Sequence, residues 1–193
     1  MTPSVTVRSV ASLAEFRAGS RVVRLAWRAA FDHIIPEADL PPTELDKDRV
    51  SELKAAYETS SAANESHIVA VADEESADTG GAVTGGESIV GYARGVWDPA
   101  HTESFAADDD AELRALYVRP DHWGERIGSA LLSSLESNAP AGADRLVLQT
   151  FVDNEDGRAF YRTRGFEVTG ENTCEVGAES YQTVIFTKPL EAE

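Results

Sequence analysis

Cysteine is almost absent from this chain. Cys174 stands alone, so no disulfide can form within the chain and no cysteine-based metal cage can be built. Long apolar runs are missing as well: none approaches the roughly 20 residues that span a bilayer, and the N-terminus has no charged-then-apolar signal pattern. The expectation is a soluble cytoplasmic protein with no membrane partner. Basic residues are scarce, 17 Lys and Arg against 34 Asp and Glu, and the net charge of −17 argues against any broad nucleic-acid surface. Of the bases only Lys47, Lys54 and Lys188 are lysine, a skew that fits an acidic, solvated surface in a high-salt cytoplasm. Two glycine signatures are also missing, since neither Gly-x-Gly-x-x-Gly nor the Gly-Lys-Ser/Thr phosphate loop occurs. No internal repeat or interdomain linker breaks the 193 residues, of which 42% are hydrophobic, so one domain over 1–193 with one sizeable core is expected.

What the chain does have is a tightly joined strand, turn and helix at residues 112–132, ELRALYVRPDHWGERIGSALL. Residues 112–118 alternate as a half-buried strand does, and Arg119-Pro120 ends it by removing a ladder donor. From Glu125 the period becomes helical, with Ile127, Ala130, Leu131 and Leu135 on one stripe and an acid in the first turn. The amides of Gly124, Glu125, Arg126, Ile127, Gly128 and Ser129 open that helix without intrahelical partners. Gly124 and Gly128 have no side chain to block a ligand. Such a turn suits an anion, above all a phosphate or pyrophosphate.

A second stretch follows at residues 145–166, RLVLQTFVDNEDGRAFYRTRGF: an apolar strand, Asn154 at its end, a short helix and a Gly165 stop before a new strand. Together the two stretches resemble the GNAT superfamily of N-acetyltransferases. The first is similar to its coenzyme A loop, Arg/Gln-x-x-Gly-x-Gly/Ala after a strand ending near Val-x-Pro, aligned on Val118, Pro120, Gly124 and Gly128. The second is similar to its strand-Asn-x-x-Ala-x-x-x-Tyr-x-x-x-Gly-Phe signature, with Asn154, Tyr161, Gly165 and Phe166 in order. The loop departs twice: Trp123 stands where Arg or Gln is usual, and Arg126 where the first patterned Gly is usual. A helical φ would accommodate Arg126, whose guanidinium could then reach a phosphate.

The resemblance implies an α/β fold with a mixed, mostly antiparallel sheet of about seven strands, about four flanking helices and a splayed central strand pair. It implies acetyl-CoA as co-substrate without a metal, and direct transfer of the acetyl group to a primary amine of a small molecule or a protein N-terminus. Carried over residue by residue, backbone groups of Leu116 and Val118 would pair with pantetheine and the amides of residues 124–129 would hold the pyrophosphate. Asn154 would bond pantetheine, Tyr161 would protonate the leaving thiolate, and Glu112 would draw the amine proton through water. Simpler roles exist for each: Tyr161 as a core ring beside Phe160, Asn154 as a helix N-cap, Glu112 as an exposed strand-end acid. His33, Asp32 and Tyr117 are further candidates for the base, and His122 and Trp123 flank the loop. Relatives commonly form dimers, which leaves a homodimer open. Two other readings compete, a catalytically silent acyl-CoA-binding module of this fold and an interaction domain with an acidic face for a basic partner.

The rest of the chain fits around these stretches. Residues 5–10, 66–72, 88–97, 166–169 and 181–188 read as strands. Residues 12–31 read as a helix with Val23, Trp27, Ala30, Phe31 and Ile34 on one face, and 43–60 as a second with Leu53, Ala56 and Tyr57 inward; the resemblance implies that both would help shape the acceptor side. Acidic flexible loops are expected at about 73–87 and 98–110. His101, beside Asp98 and Glu103, reads as part of an exposed acidic loop and not as a metal site. Charge is uneven: residues 112–166 hold seven bases and eight acids, net −1, so the remainder carries −16 of the −17. A segment spared the acid excess is where a polyanion such as coenzyme A could sit.

Overall fold

The computed structural model describes residues 4–60, 64–73, 82–84 and 87–190. In chain order these form β1 (Val5–Ser9), α1 (Leu13–Phe31), α2 (Lys47–Ser60), β2 (Glu65–Asp73), β3 (Ala82–Thr84), β4 (Glu87–Val96), β5 (Asp110–Val118), a 3-10 turn at Pro120–His122, α3 (Ile127–Ser137), β6 (Arg145–Phe151), α4 (Glu155–Arg162), β7 (Glu167–Val176) and β8 (Glu179–Pro189). The sheet runs β1-β2-β4-β5-β6-β8-β7, with short β3 beside β4. Every pairing is antiparallel except that of β5 with β6.

That parallel pairing positions everything else. It is confined to Asp110, Ala111 and Glu112 opposite Arg145, Leu146 and Val147, after which the strands part. The vertex is pinned by charge: buried Asp110 accepts from Arg145 at 2.8 and 3.0 Å and from the Ala107 amide at 2.9 Å. Beyond it β5 and β6 diverge, and the two faces of the sheet are closed by different helices. α3 inserts Ile127, Leu131, Leu132 and Leu135 into a core shared with Phe166 and Phe186. On the other face α1 lays Phe16, Gly19, Val22 and Ala26 against the sheet, its N-terminus capped by Ser12, whose hydroxyl accepts from the Glu15 amide at 3.2 Å.

Several boundaries and faces differ from the sequence expectation. The deepest face of α1 is shifted by a residue or so, leaving Val23, Trp27, Ala30 and Ile34 half-buried. α2 begins at Lys47, not residue 43, because Asp46 supplies the cap by accepting from the Arg49 amide at 2.9 Å. It buries no residue; Leu53 and Tyr57 are half-buried and Ala56 is exposed. In α3 Ala130 is exposed and Leu132 takes its place, while Glu125 lies before the helix. β7 runs past residue 169 because a bulge between Val168 and Gly170 takes up Thr169, after which Gly170 pairs with Ile185. The loop at 98–109 is tied to β5 where flexibility was expected: the Glu103 amide donates to Glu112 and Arg114 donates to the His101 carbonyl, both at 2.9 Å. Within the other acidic segment, residues 74–81 and 85–86 lie outside the described residues.

Candidate active site

The splay exposes one edge of β5. The Arg119 amide donates to the Val90 carbonyl on β4 at 2.8 Å, so by antiparallel alternation the N–H and C=O of Val118 and Leu116 point the other way, into the gap. Between β5 and β6 lies a cleft of about 990 Å³, walled by residues of α1, β5, β6, the turn before α3, and α4. One edge group is already used. The exposed indole of Trp123 donates to the Val118 carbonyl at 2.7 Å. Sequence reasoning placed Trp123 at the loop but had no signal for this bond, which depends on how the turn folds back.

The turn itself is organised by two positive φ angles and one close approach. Gly124 has φ +85 with open space where a Cβ would be, so glycine is required by its backbone and not by crowding. Arg126 has φ +64, the left-handed region. The expectation of a helical φ is therefore wrong: this position needs the conformation glycine adopts freely, and a side chain here costs about 1–2 kcal/mol. Among the described residues its exposed guanidinium has no hydrogen bond or ion pair, and it lines the cleft. Gly128 is different again, since a Cβ there would lie 3.2 Å from the Phe160 ring.

Because Arg126 is left-handed and offers no side-chain cap, the start of α3 stays open. The amides of Gly124, Arg126, Ile127 and Gly128 make no hydrogen bond among the described residues. The Ser129 amide, included in the sequence expectation, already donates to the Arg126 carbonyl at 3.1 Å, and the Glu125 amide makes a long bond of 3.4 Å to His122. The Glu125 carboxylate pairs with buried His122 at 2.9 Å, and Arg119 reaches the other ring nitrogen at 3.1 Å, bracing the turn from behind.

Across the gap, Asn154 caps α4 and lines the cleft. Its side-chain oxygen accepts from the Gly157 amide at 3.1 Å and its amide group donates to Thr150 at 2.8 Å, which leaves one side-chain N–H without a partner among the described residues. Tyr161 also lines the cleft, with its ring packed on Phe160, Phe166 and Phe186. Burial pushes its phenol well above the ordinary tyrosine range; nearby Tyr117 adds to this and Arg164 opposes it. Tyr117 is pushed up to about 12 by burial, against a hydrogen bond from Trp27.

Glu112 is not an exposed strand-end acid. At 2% exposure its carboxylate accepts from Arg114 at 2.5 and 2.7 Å and from the Glu103 amide at 2.9 Å. It borders a side pocket of about 170 Å³ at the vertex, with Trp27, Phe31, Tyr117 and Gln149 among its walls. His33 lies on the cleft wall, exposed, 3.7 Å from Asp32. His101 is bonded to Asp98 at 3.1 Å, and among the described residues no group of three or more His, Cys, Asp or Glu could hold a metal ion. Among those residues, too, no helix is long and apolar enough to cross a membrane.

A strand pair that opens over an uncapped helix start matches a known family, since the acetyltransferase (GNAT) family model covers residues 27–166. The chain belongs to the GNAT family. A relative in Mycobacterium bovis, named as an uncharacterized N-acetyltransferase, is 31% identical over 84 residues, 43% of this chain and 54% of its own length. An uncharacterized Mycobacterium leprae protein is 36% identical over 84 residues, 44% of this chain and 21% of that protein. The chain thus spans about half, or less, of the curated relatives it matches. Among solved structures, the PaiA N-acetyltransferase of Thermoplasma acidophilum in complex with coenzyme A superposes with a TM-score of 0.63 at 19% identity, covering 96% of this chain and 99% of that one. The ribosomal-protein-S18-alanine N-acetyltransferase of Escherichia coli gives 0.61 at 16% identity, covering 98% and 96%. At such identities the likeness is one of fold, and it extends over the whole GNAT architecture.

Proposed function

We propose that this GNAT protein is an N-acetyltransferase that moves the acetyl group of acetyl-CoA to a primary amine of a small molecule or a protein N-terminus by direct transfer. The observation that carries the reading is the adjacency of two backbone surfaces, the β5 edge at Leu116 and the Val118 amide, whose neighbouring carbonyl alone is taken by Trp123, and the four unbonded amides of the α3 turn. Peptide-like pantetheine would pair with the first as a short added strand. The pyrophosphate would take the second, where helix dipole and amides act together, with the Arg126 guanidinium beside it. The remaining N–H of Asn154 would face pantetheine.

In the reaction the neutral amine attacks the thioester carbonyl, the C–N bond forms and the C–S bond breaks. Tyr161 donates its proton to the departing thiolate; burial keeps the phenol protonated through the neutral range. Both oxygens of Glu112 are engaged, so in this reading the amine proton leaves through cleft water, and Glu112 acts by holding Arg114 and the Glu103 turn at the acceptor end. No metal is called for.

Transfer kinetics with a panel of amines test the proposal. Tyr161→Phe should lower kcat roughly 100-fold with little change in acetyl-CoA affinity. The wild-type rate should rise with pH as the amine deprotonates and should not fall before the ordinary tyrosine range is passed, because the raised phenol pKa keeps the acid protonated. Tight acetyl-CoA binding without transfer to any amine would mark the silent acyl-CoA-binding module instead.

A further inference from the structure

Helix α1 has a second face that does not line the cleft. Arg17, Arg21, Arg24 and Arg28 recur at steps of four, three and four, and at about 100° per residue they share an arc of roughly 60°. That arc faces away from Phe16, Val22 and Ala26, the side packed on the sheet. Like charges at these steps weaken a helix, yet no acid is interleaved. The single acid of α1, Glu15, is bound by Arg8 through two bonds of 2.9 Å. Helix α1 therefore carries net +3 in a chain of −17, and the other residues carry −20.

Neutralisation within the protein is sparse here. Only Arg28 of the four forms an ion pair among the described residues, with Glu37. Arg24 donates to the Ser20 hydroxyl at 2.8 Å, while its Nε is buried without a partner. Burial lowers the pKa of Arg24, and the nearby charges of Arg21 and of Arg49 on α2 lower it further. Among the described residues no carboxylate forms an ion pair with Arg17, Arg21, Arg24 or Arg49, in a chain that holds 34 acids.

We propose that Arg17, Arg21 and Arg24 of α1, together with Arg49 of α2, form a docking stripe for a short acidic peptide segment of a partner protein. From Arg17 to Arg24 the stripe is about 10 Å long at 1.5 Å per residue, the length of roughly three extended residues. A short segment fits within it. A nucleic acid would have to continue over a surface carrying −20, which repels it.

The test uses the full chain and a fluorescein-labelled octaglutamate peptide, followed by anisotropy at the lowest salt at which circular dichroism shows the protein folded. The wild type should bind at micromolar concentration and weaken at least tenfold when 0.3 M salt is added, as screening demands. Arg17→Ser with Arg21→Ser should bind at least tenfold more weakly with acetyl-CoA affinity unchanged, and Arg49→Ser, on a separate helix, should weaken peptide binding too. Lys54→Ser, whose lysine already has Glu58 as partner, should change nothing. Absence of peptide binding by the folded wild type, or equal binding by both arginine variants, overturns the proposal. So does an eight-nucleotide single strand that binds more tightly than the peptide and loses affinity in the same variants.

Discussion

Helices α3 and α4 both begin where a strand of the splayed pair ends, and both starts line the same cleft. Their treatment is opposite. The cap of α4 is satisfied by the chain, Asn154 accepting from Gly157 and bracing itself on Thr150. Gly157 makes room for this, since a Cβ there would press into the Asn154 side chain. The cap of α3 is Arg126 in a left-handed conformation with no side-chain bond, and the amides around it stay unbonded. The difference teaches that orphan amides at a helix start are a choice made by one residue: a short polar side chain closes them, and a left-handed residue with a long one leaves them for a ligand.

The strongest way to break the contrast is to fill the open terminus. Gly128→Glu sets a carboxylate among the free amides and crowds Phe160, and acetyl-CoA affinity measured by calorimetry should fall roughly 100-fold or more, a like charge against phosphate costing several kcal/mol. Opening the closed terminus is a smaller change. Asn154→Ala should remove about 1 kcal/mol of stability in urea unfolding through the lost cap. Its effect on pyrophosphate binding should be slight, because that ligand belongs to the other helix. Arg126→Gly sharpens the comparison by separating conformation from charge. Relief of the left-handed strain should raise stability by about 1 kcal/mol, while loss of an exposed cation should weaken acetyl-CoA binding only about threefold.

How far the sequence foretold these features follows from what kind of interaction sets each one. The turn and both helix starts were legible because glycine, Asn154 and the change of period are local signals. So was the splayed pair, though only through resemblance, since nothing local says where β5 leaves β6. The φ of Arg126 was missed because several residues must fit before a backbone accepts that strain. Glu112 looked exposed at the end of a strand, yet Arg114 two residues on shares its strand face, and that pairing was the signal available for its burial. The strand read over 166–169 runs on to Val176 because a bulge carries it past Thr169, and the helix read from residue 43 begins four residues later, where Asp46 supplies the cap.

The most direct test of the open and closed helix starts is amide NMR during titration with coenzyme A. The account predicts that the N–H signals of Gly124, Arg126, Ile127 and Gly128 move most and saturate together, with Gly157 nearly still. Movement centred on Gly157 and α4, or no movement at the α3 turn of a folded protein that still binds the cofactor, would contradict it.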